Sequence, residues 1–191
     1  MVKLSLSKMF RSSWHFLFLL IGEALCLGIK PYELKILSYS VWPENSVWDI
    51  SKARLTGRDR LLNGTVTLRE DMDNGHYIFS FESFSDPVGD GNFKLLPFQI
   101  PRTPMCDAYK KYRPLFAKHA EYGKQTDFPV HQDICPIPKG TYYLKNIELS
   151  AENWPAILPR GFLRGNGSFY RNNEHLGTYS VTVLVKDINS Q

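Results

Sequence analysis

Residues 62–68 (LNGTVTL) and 77–81 (YIFSF) decide the fold, because their apolar side chains recur at every second position. This period is typical of a half-buried β-strand, whose side chains point to alternate faces of a sheet. The residues between them include 73–75 (DNG), a common hairpin turn sequence. We therefore expect an antiparallel hairpin, extended by a third strand at 93–100 into a meander.

The rest of the chain continues the pattern of short strands separated by turn residues. Five further stretches fit a strand: 33–42, 48–55, 142–149, 162–170 and 178–186. Eight short strands predict an all-β domain, either a sandwich or a barrel. One short helix interrupts the series, with Thr103 as its cap, Pro104 at its first position and Pro114 expected to end or kink it.

The N-terminal residues have the features of a secretory signal peptide. Lys3, Lys8 and Arg11 precede an apolar run, 14–21, which is too short to span a bilayer. Small residues allow cleavage after residue 26 or 28. We expect a signal peptide at 1–28 and a single secreted domain at 29–191; the alternative is a signal anchor that stays in the membrane.

Cleavage changes the cysteine count. It removes Cys26 and leaves Cys106 and Cys135 in an oxidising compartment, where we expect them to form a disulfide. Two cysteines are too few for a structural zinc site.

Charge gives little indication of a partner. The formal net charge of +4 falls to about +2 once the leader, with three basic and one acidic residue, is removed, and this balance predicts no nucleic-acid partner. A basic group on the predicted helix either meets anionic headgroups or is a solvated helix face. Its members are Lys110, Lys111, Arg113 and Lys118.

The sequence lacks the groupings that catalysis requires. It contains no G-x-S-x-G nucleophile motif and no phosphate-binding glycine loop. Its histidines after the leader have no metal-ligand spacing, and they are His76, His119, His131 and His175. A carboxylate pair of the glycosidase type meets only in three dimensions, so the sequence does not test it. We expect no enzyme, no cofactor and no metal.

Two glycosylation sequons follow the strand pattern. They begin at Asn63 and Asn166, and a glycan at either must project into solvent. At Asn63 the strand pattern agrees, since it turns Leu62, Val66 and Leu68 inward. At Asn166 an unbroken strand places Leu163 inside, whereas a bulge at the neighbouring glycines would reset the register.

Candidate ligand-binding residues are aromatic and aliphatic. The strand candidates are Phe79, Phe81, Leu96, Phe98 and Phe169, which fit either a pocket wall or an ordinary core. The loop candidates are Trp154, Ile157 and Leu158, in a segment whose two prolines exclude it from a central strand. Such an apolar loop either forms a lid, touches a membrane or partner, or plugs one end of the domain.

Several stretches carry a family resemblance. Residues 135–146 (CPIPKGTYYLKN), the 154–161 loop (WPAILPRG) and 177–187 (GTYSVTVLVKD) resemble the ganglioside activator protein and its lipid-recognition relatives. With 62–68, 93–101 (FKLLPFQIP) and 104–112 (PMCDAYKKY), the chain is similar to an insect family of secreted sandwiches that includes the chemosensory B proteins.

The resemblance implies an immunoglobulin-like, lipid-recognition sandwich whose sheets splay to admit a lipid or other apolar ligand, with a role in pheromone or taste detection. The ganglioside activator has several more disulfides, so the shape of its cavity mouth does not carry over. We expect a secreted carrier that acts at a sensory receptor, channel or membrane surface. The alternative is an extracellular interaction module that binds a receptor or channel and has a filled core.

Overall fold

A computed structural model describes residues 32–43, 46–151, 154–155 and 157–188, so the predicted signal peptide at 1–28 lies outside the described residues. Within these ranges the chain forms nine strands and one helix. The strands are β1 (Tyr32–Trp42), β2 (Trp48–Asp49), β3 (Arg54–Thr56), β4 (Leu61–Leu68), β5 (Tyr77–Asp86), β6 (Lys94–Pro104), β7 (Gly140–Ile147), β8 (Gly161–Arg171) and β9 (Glu174–Asp187), and helix α1 (Met105–Ala117) follows β6.

The strands form two antiparallel sheets that pack as a sandwich. The large sheet has the order β1-β9-β8-β5-β6. In the small sheet β4 is central: β7 pairs with one edge, and β2 and β3 pair with the two ends of the other edge. The predicted all-β sandwich with one short helix is confirmed.

The predicted hairpin between 62–68 and 77–81 is wrong, because these strands belong to different sheets. β4 is bonded on both edges within the small sheet, and β5 is bonded on both edges to β6 and β8. The turn at 73–75 therefore connects the two sheets. The second half of the predicted meander, the pairing of β5 with β6, is confirmed.

The predicted strand at 48–55 is divided in two. A turn closed by the hydrogen bond from Ala53 N to Ile50 O (3.0 Å) separates β2 from β3. This division gives nine strands in the described ranges in place of the eight expected.

Helix α1 begins differently from the prediction, and it continues past Pro114. Pro104 occupies the N-cap position, and the Thr103 hydroxyl donates to Pro101 O at 2.7 Å. The cap comes from the sheet-connecting turn: Asn74 Oδ1 accepts hydrogen bonds from the backbone N of Cys106 (2.7 Å) and of Asp107 (3.3 Å). Pro114 lies inside the helix and does not end it.

Most buried hydrophobic side chains of the described residues fall into two clusters. The first packs both sheets against the start of α1, with Leu68, Met72, Tyr77, Met105, Ile137 and Tyr142 among its members. The second lies on the other half of the large sheet, around Tyr32, Leu163, Val183 and Val185. Four residues from the chain between β7 and β8 pack on this cluster: Leu149, Ala151, Trp154 and Leu158.

Candidate functional site

A cavity of about 360 Å³ lies between the sheets and α1, next to the first core cluster. Its volume falls within the range usual for small-molecule pockets. Its wall is almost entirely aromatic and aliphatic, formed by Trp48, Val66, Phe79, Met105, Ala108, Tyr109, Tyr112, Arg113, Phe116, Ala120, Thr126, Phe128, Val130, Ile137, Leu144, Ile147 and Phe169. Such a cavity is suited to an apolar molecule.

Both sheets contribute to one side of the wall. Phe79 on β5 and Phe169 on β8 come from the large sheet, with ring centroids 5.2 Å apart. Val66 on β4 and Leu144 on β7 come from the small sheet. Their placement follows from the alternation of side chains along a strand, which turns every second residue inward.

Helix α1 forms a second side of the wall. Its lining residues Ala108, Tyr112 and Phe116 follow at intervals of four, and Tyr109 and Arg113 lie beside them. This spacing places all five on one face of a helix. Phe116 lines the cavity and is also 62% exposed, so the cavity opens to solvent beside the end of α1.

The segment 118–139 after the helix completes the wall. Its Phe128 ring is central, because it packs edge-on against the rings of Trp48 (5.6 Å), Tyr109 (6.0 Å) and Tyr142 (5.0 Å). A chain segment outside the strands can hold Phe128 in this position because it is tied on both sides of that residue. The ties are the bridge between Thr126 and Leu144 of β7 and a disulfide at Cys135.

The disulfide predicted between Cys106 and Cys135 is confirmed, with an S–S distance of 2.08 Å and a Cα–Cα distance of 5.7 Å. It joins the start of α1 to the end of the 118–139 segment. Beside it, the backbones of Met72 and Ile137 exchange two hydrogen bonds of 2.9 and 2.8 Å. Residues 106–135 therefore form a covalently closed ring, which is anchored to the chain between β4 and β5.

Two of the polar side chains in the wall, Tyr109 and Arg113, bind the segment that follows the helix. The Tyr109 hydroxyl donates to Pro129 O at 2.6 Å, and burial raises the pKa of Tyr109 from its usual value near 10 to about 12. The Arg113 guanidinium binds Asp133 Oδ1 at 2.7 Å and Val130 O at 2.9 Å. These groups hold the ring in shape.

Trp48 differs from them. Its indole Nε1 is buried and has no hydrogen-bond acceptor among the described residues. Because β2 pairs Trp48 with the buried Leu68, the indole lies on the inner face of the small sheet.

The strand residues predicted to bind ligand share one inner face, but only Phe79 and Phe169 line the cavity. Phe81 lies over Gly165 and contacts the ring of Phe98 at 5.9 Å. Leu96 packs on the second core cluster. A ligand role stays a prediction for all five residues, of which Phe79 and Phe169 lie in the cavity wall.

The predicted loop residues lie apart from this cavity. Trp154 and Leu158 pack on the second core cluster, and the Tyr32 hydroxyl donates to Pro155 O at 2.5 Å. Ile157 is 88% exposed. The described part of the loop thus packs two side chains on the large sheet and presents Ile157 to solvent, and its role as lid, contact surface or plug stays a prediction.

The two sequons lie on strands with their amides engaged. Asn63 Nδ2 donates to Thr56 Oγ1 at 2.8 Å, and its Oδ1 accepts from Asn146 N at 2.8 Å. Asn166 Oδ1 accepts from the Ser180 hydroxyl at 2.5 Å. The register of β8 with β5 is unbroken through Asn166, so Leu163 is inside as predicted for a regular strand. Glycosylation at either site stays a prediction.

The basic group on the helix is divided between two environments. Lys110, Lys111 and Lys118 are exposed, whereas Arg113 lies in the cavity wall bound to Asp133.

Among the described residues no group of three or more His, Cys, Asp or Glu side chains is placed to hold a metal ion. No helix in the described ranges is long and apolar enough to cross a membrane.

One protein family matches part of the chain. The sequence model of a family described as "Protein of unknown function (DUF1091)" matches residues 74–164. No curated protein matches the chain. The matched region contains β5, β6, α1 and β7, together with the ring and most of the cavity wall. Over this region the chain is similar to a family whose description assigns no activity.

Most residues of the cavity wall were not among those predicted from the sequence. Predicted sites fell on strands and on the proline-rich loop, while Trp48, Phe116 and Phe128 were not among them. The helix did carry one signal in the sequence. The spacing of Cys106, Tyr109 and Tyr112 extends to Phe116 and gives the helix an apolar face. No predicted strand was assigned to cover that face. For Phe128, in a segment without periodicity, the sequence carries no comparable signal.

Proposed function

We propose that this protein is a secreted, non-enzymatic binding protein that holds a lipid or other small apolar ligand between its two sheets. The observation that supports the proposal is the cavity of about 360 Å³, walled by side chains from both sheets, α1 and the segment 118–139. Removing apolar ligand surface from water contributes roughly 25 cal/mol per Å², or about 5 kcal/mol for 200 Å². A ligand of modest size gains useful affinity in this way without covalent chemistry.

Secretion is supported by the disulfide, which persists in oxidising compartments, and by the signal-peptide features of the N-terminal residues. The chemosensory role rests on resemblance to the ganglioside activator relatives and the chemosensory B proteins. We propose a sensory-cell receptor, channel or membrane surface as the place where the ligand is delivered. The first core cluster and the cavity beside it fit the splayed sandwich that this resemblance implies.

The binding function is tested on protein secreted from insect cells and analysed by native and then denaturing mass spectrometry. We expect a small apolar molecule to be released on unfolding. After delipidation, addition of N-phenylnaphthylamine is expected to raise the unfolding temperature, because a ligand that binds only the folded state stabilises it.

A pair of variants of helix α1 makes the test specific to the cavity. Ala108 is 2% exposed and lines the cavity, whereas Lys111 lies on the exposed face of the same helix. Ala108→Phe is expected to fill the cavity and abolish the probe-induced stabilisation, and Lys111→Phe to leave it intact. Equal stabilisation of both variants would show that the probe binds elsewhere and would contradict the proposal.

A second candidate function is an extracellular interaction module. It is favoured by exposed apolar side chains on two separate surfaces, Ile157 (88%) on the loop and Leu115 (43%) with Phe116 (62%) near the end of α1. This function predicts no ligand-induced stabilisation. It also predicts a protein partner whose binding is lost in Ile157→Asp or Phe116→Asp, both of which leave the buried core unchanged.

A further inference from the structure

Part of the inward face of the large sheet is open to solvent. Val181 on β9 pairs with Gly165 and shares the inward face with the buried Val183, yet it is 38% exposed. Phe98 on the edge strand β6 contacts the inward ring of Phe81 at 5.9 Å and is 55% exposed. Inward apolar side chains that reach solvent indicate a gap in the layer that covers this sheet.

Two glycines on β8 lie at this gap. Phe169 packs on the first core cluster, and Leu163 belongs to the second. The inward positions between them are Gly167 and Gly165, so no side chain rises from β8 there. The ring of Phe81 lies across Gly165, where a Cβ would be 2.7 Å from the ring. The result is a shallow trough across the sheet, lined by Phe81, Phe98, Gly165 and Val181.

The trough continues from the cavity along the same strands. Phe79 in the cavity wall and Phe81 in the trough are successive inward residues of β5, about 7 Å apart along the strand. On β9 the two sheets are tied together by Tyr179, whose hydroxyl donates to Trp48 O at 2.7 Å. The route from the cavity to the trough therefore runs over β5 and β8, past Phe81.

The row of paired residues that crosses the sheet at the trough contains no charged side chain. Its members are Ser83, Gly165, Val181 and Tyr39. The Ser83 hydroxyl donates to Phe98 O at 2.7 Å. The Tyr39 hydroxyl donates to Ala53 O. Both polar side chains of this row are thus bonded to backbone oxygens, and the row favours an apolar occupant.

We propose that the trough is a second apolar subsite, which holds the far part of an elongated chain whose near part fills the cavity. This inference rests on the proposed binding function and narrows the ligand to a long, flexible apolar molecule. A compact molecule fits within the cavity and leaves the trough to water. A long chain also covers Phe98 and Val181, and each further CH₂ group that it buries raises the affinity about fourfold.

A series of 1-alkanols from octanol to hexadecanol tests how far the bound chain reaches. Each alkanol is used to displace N-phenylnaphthylamine from the full-length secreted protein and from two variants, Phe98→Ser and Leu95→Ser. The two positions are 55% and 53% exposed on the same strand, but Leu95 pairs with Phe84 on the outward face of the sheet. Phe98→Ser is expected to weaken hexadecanol binding about fivefold, because roughly half of this side chain is left for a ligand to cover. It is expected to leave octanol binding unchanged, and Leu95→Ser to change neither.

The methyl resonances of Val181 provide a second measurement that needs no substitution in the protein that binds the probe. In a ¹H–¹³C spectrum the Val181 signals, assigned by their absence in Val181→Ala, are expected to shift with hexadecanol and not with octanol. If hexadecanol leaves these signals in place, the inference is wrong, and the chain leaves the cavity by the opening beside Phe116 or stays within the cavity. If Phe98→Ser unfolds at a lower temperature than Leu95→Ser, the wild-type Val181 signals decide the matter.

The possible outcomes separate this inference from the function on which it depends. If octanol displaces the probe and hexadecanol binds no more tightly than octanol, the cavity binds compact molecules and only the trough assignment fails. Equal weakening of hexadecanol binding in Phe98→Ser and Leu95→Ser would also overturn the trough assignment. If neither N-phenylnaphthylamine nor any alkanol binds, the proposed function fails together with the inference.

Discussion

At the scale of single residues, Gly64 on β4 lies against the backbone of Lys52, in the turn between β2 and β3. Its φ is +118°, and a Cβ added there would lie 2.1 Å from Lys52 O. Gly57 also has a positive φ, +72°, but no heavy atom lies within 4 Å of the corresponding position. Alanine substitutions at these two glycines therefore distinguish the cost of a positive φ alone from the added cost of a steric clash.

Gly64→Ala is expected to lower the free energy of unfolding by about 3 kcal/mol or more, because the Lys52 backbone has to move as well. Gly57→Ala is expected to cost only about 1 kcal/mol, the usual strain of a left-handed residue. Urea denaturation of both variants measures the difference. Similar losses would show that the turn containing Lys52 moves away from the added methyl group at no cost in stability.

The buried phenol of Tyr109 makes the free energy of unfolding depend on pH in the alkaline range. Burial raises the pKa of Tyr109 in the folded protein to about 12, from about 10 in the unfolded chain. As pH rises through this interval the unfolded chain loses the proton first, so the folded state loses stability. The contribution is complete below pH 10 and is lost as pH approaches 12.

Tyr109→Phe is expected to be less stable at neutral pH by about 1 kcal/mol, because Pro129 O loses its hydrogen bond. Between pH 10 and 12 its free energy of unfolding is expected to fall less steeply than that of the wild type, so the two curves converge. Urea titrations at several alkaline pH values measure both curves. Parallel curves would show that the phenol of Tyr109 does not remain protonated in the folded state.

At the scale of elements, the start of α1 depends on a residue distant in sequence. Asn74, in the turn between the sheets, caps the helix through Cys106 N and Asp107 N. Asn74→Ala is expected to lower the free energy of unfolding by about 1 kcal/mol, the usual value of a cap. Thr103→Ala is the matched control and is expected to have little effect, since the Thr103 hydroxyl bonds only to Pro101 O at the exposed surface. A larger loss of stability in Thr103→Ala than in Asn74→Ala would show that Thr103 caps the helix, as predicted from the sequence.

The elements also show what the sequence could predict. The period of two in 62–68 and 77–81 correctly gave β4 and β5, because alternation depends only on one face being buried. It did not give their partners, since two strands show the same alternation whether they pair with each other or lie in facing sheets. The turn at 73–75 carries the same ambiguity, because a DNG sequence reverses the chain in either case.

The candidate site was less predictable than the fold for a related reason. Phe79 and Phe169 were found because strand periodicity marks inward residues. Tyr112 and Phe116 belong to the wall because α1 lies over the gap between the sheets, and Phe128 because the disulfide and the Thr126–Leu144 bridge hold its segment in place. These are tertiary contacts without a local pattern.

At the scale of the whole molecule, the disulfide holds one side of the cavity against the sheets. Replacing Cys106 and Cys135 together by serine opens a ring of about thirty residues. It is expected to lower the free energy of unfolding by roughly 3.6 kcal/mol in the chain-entropy treatment. Thermal and urea unfolding measure the loss. A loss below about 1 kcal/mol would show that the Met72–Ile137 bridge and the Asn74 cap are enough to hold the ring.

The ring has a consequence for how ligand choice can change. Residues 106–135 supply more than half of the described wall, while most of the remainder comes from strands that also form the core. In a related chain, substitutions confined to this one disulfide-closed segment would change the shape and polarity of the cavity. Its sheets would keep their pairing, so the constant scaffold and the variable wall would diverge at different rates.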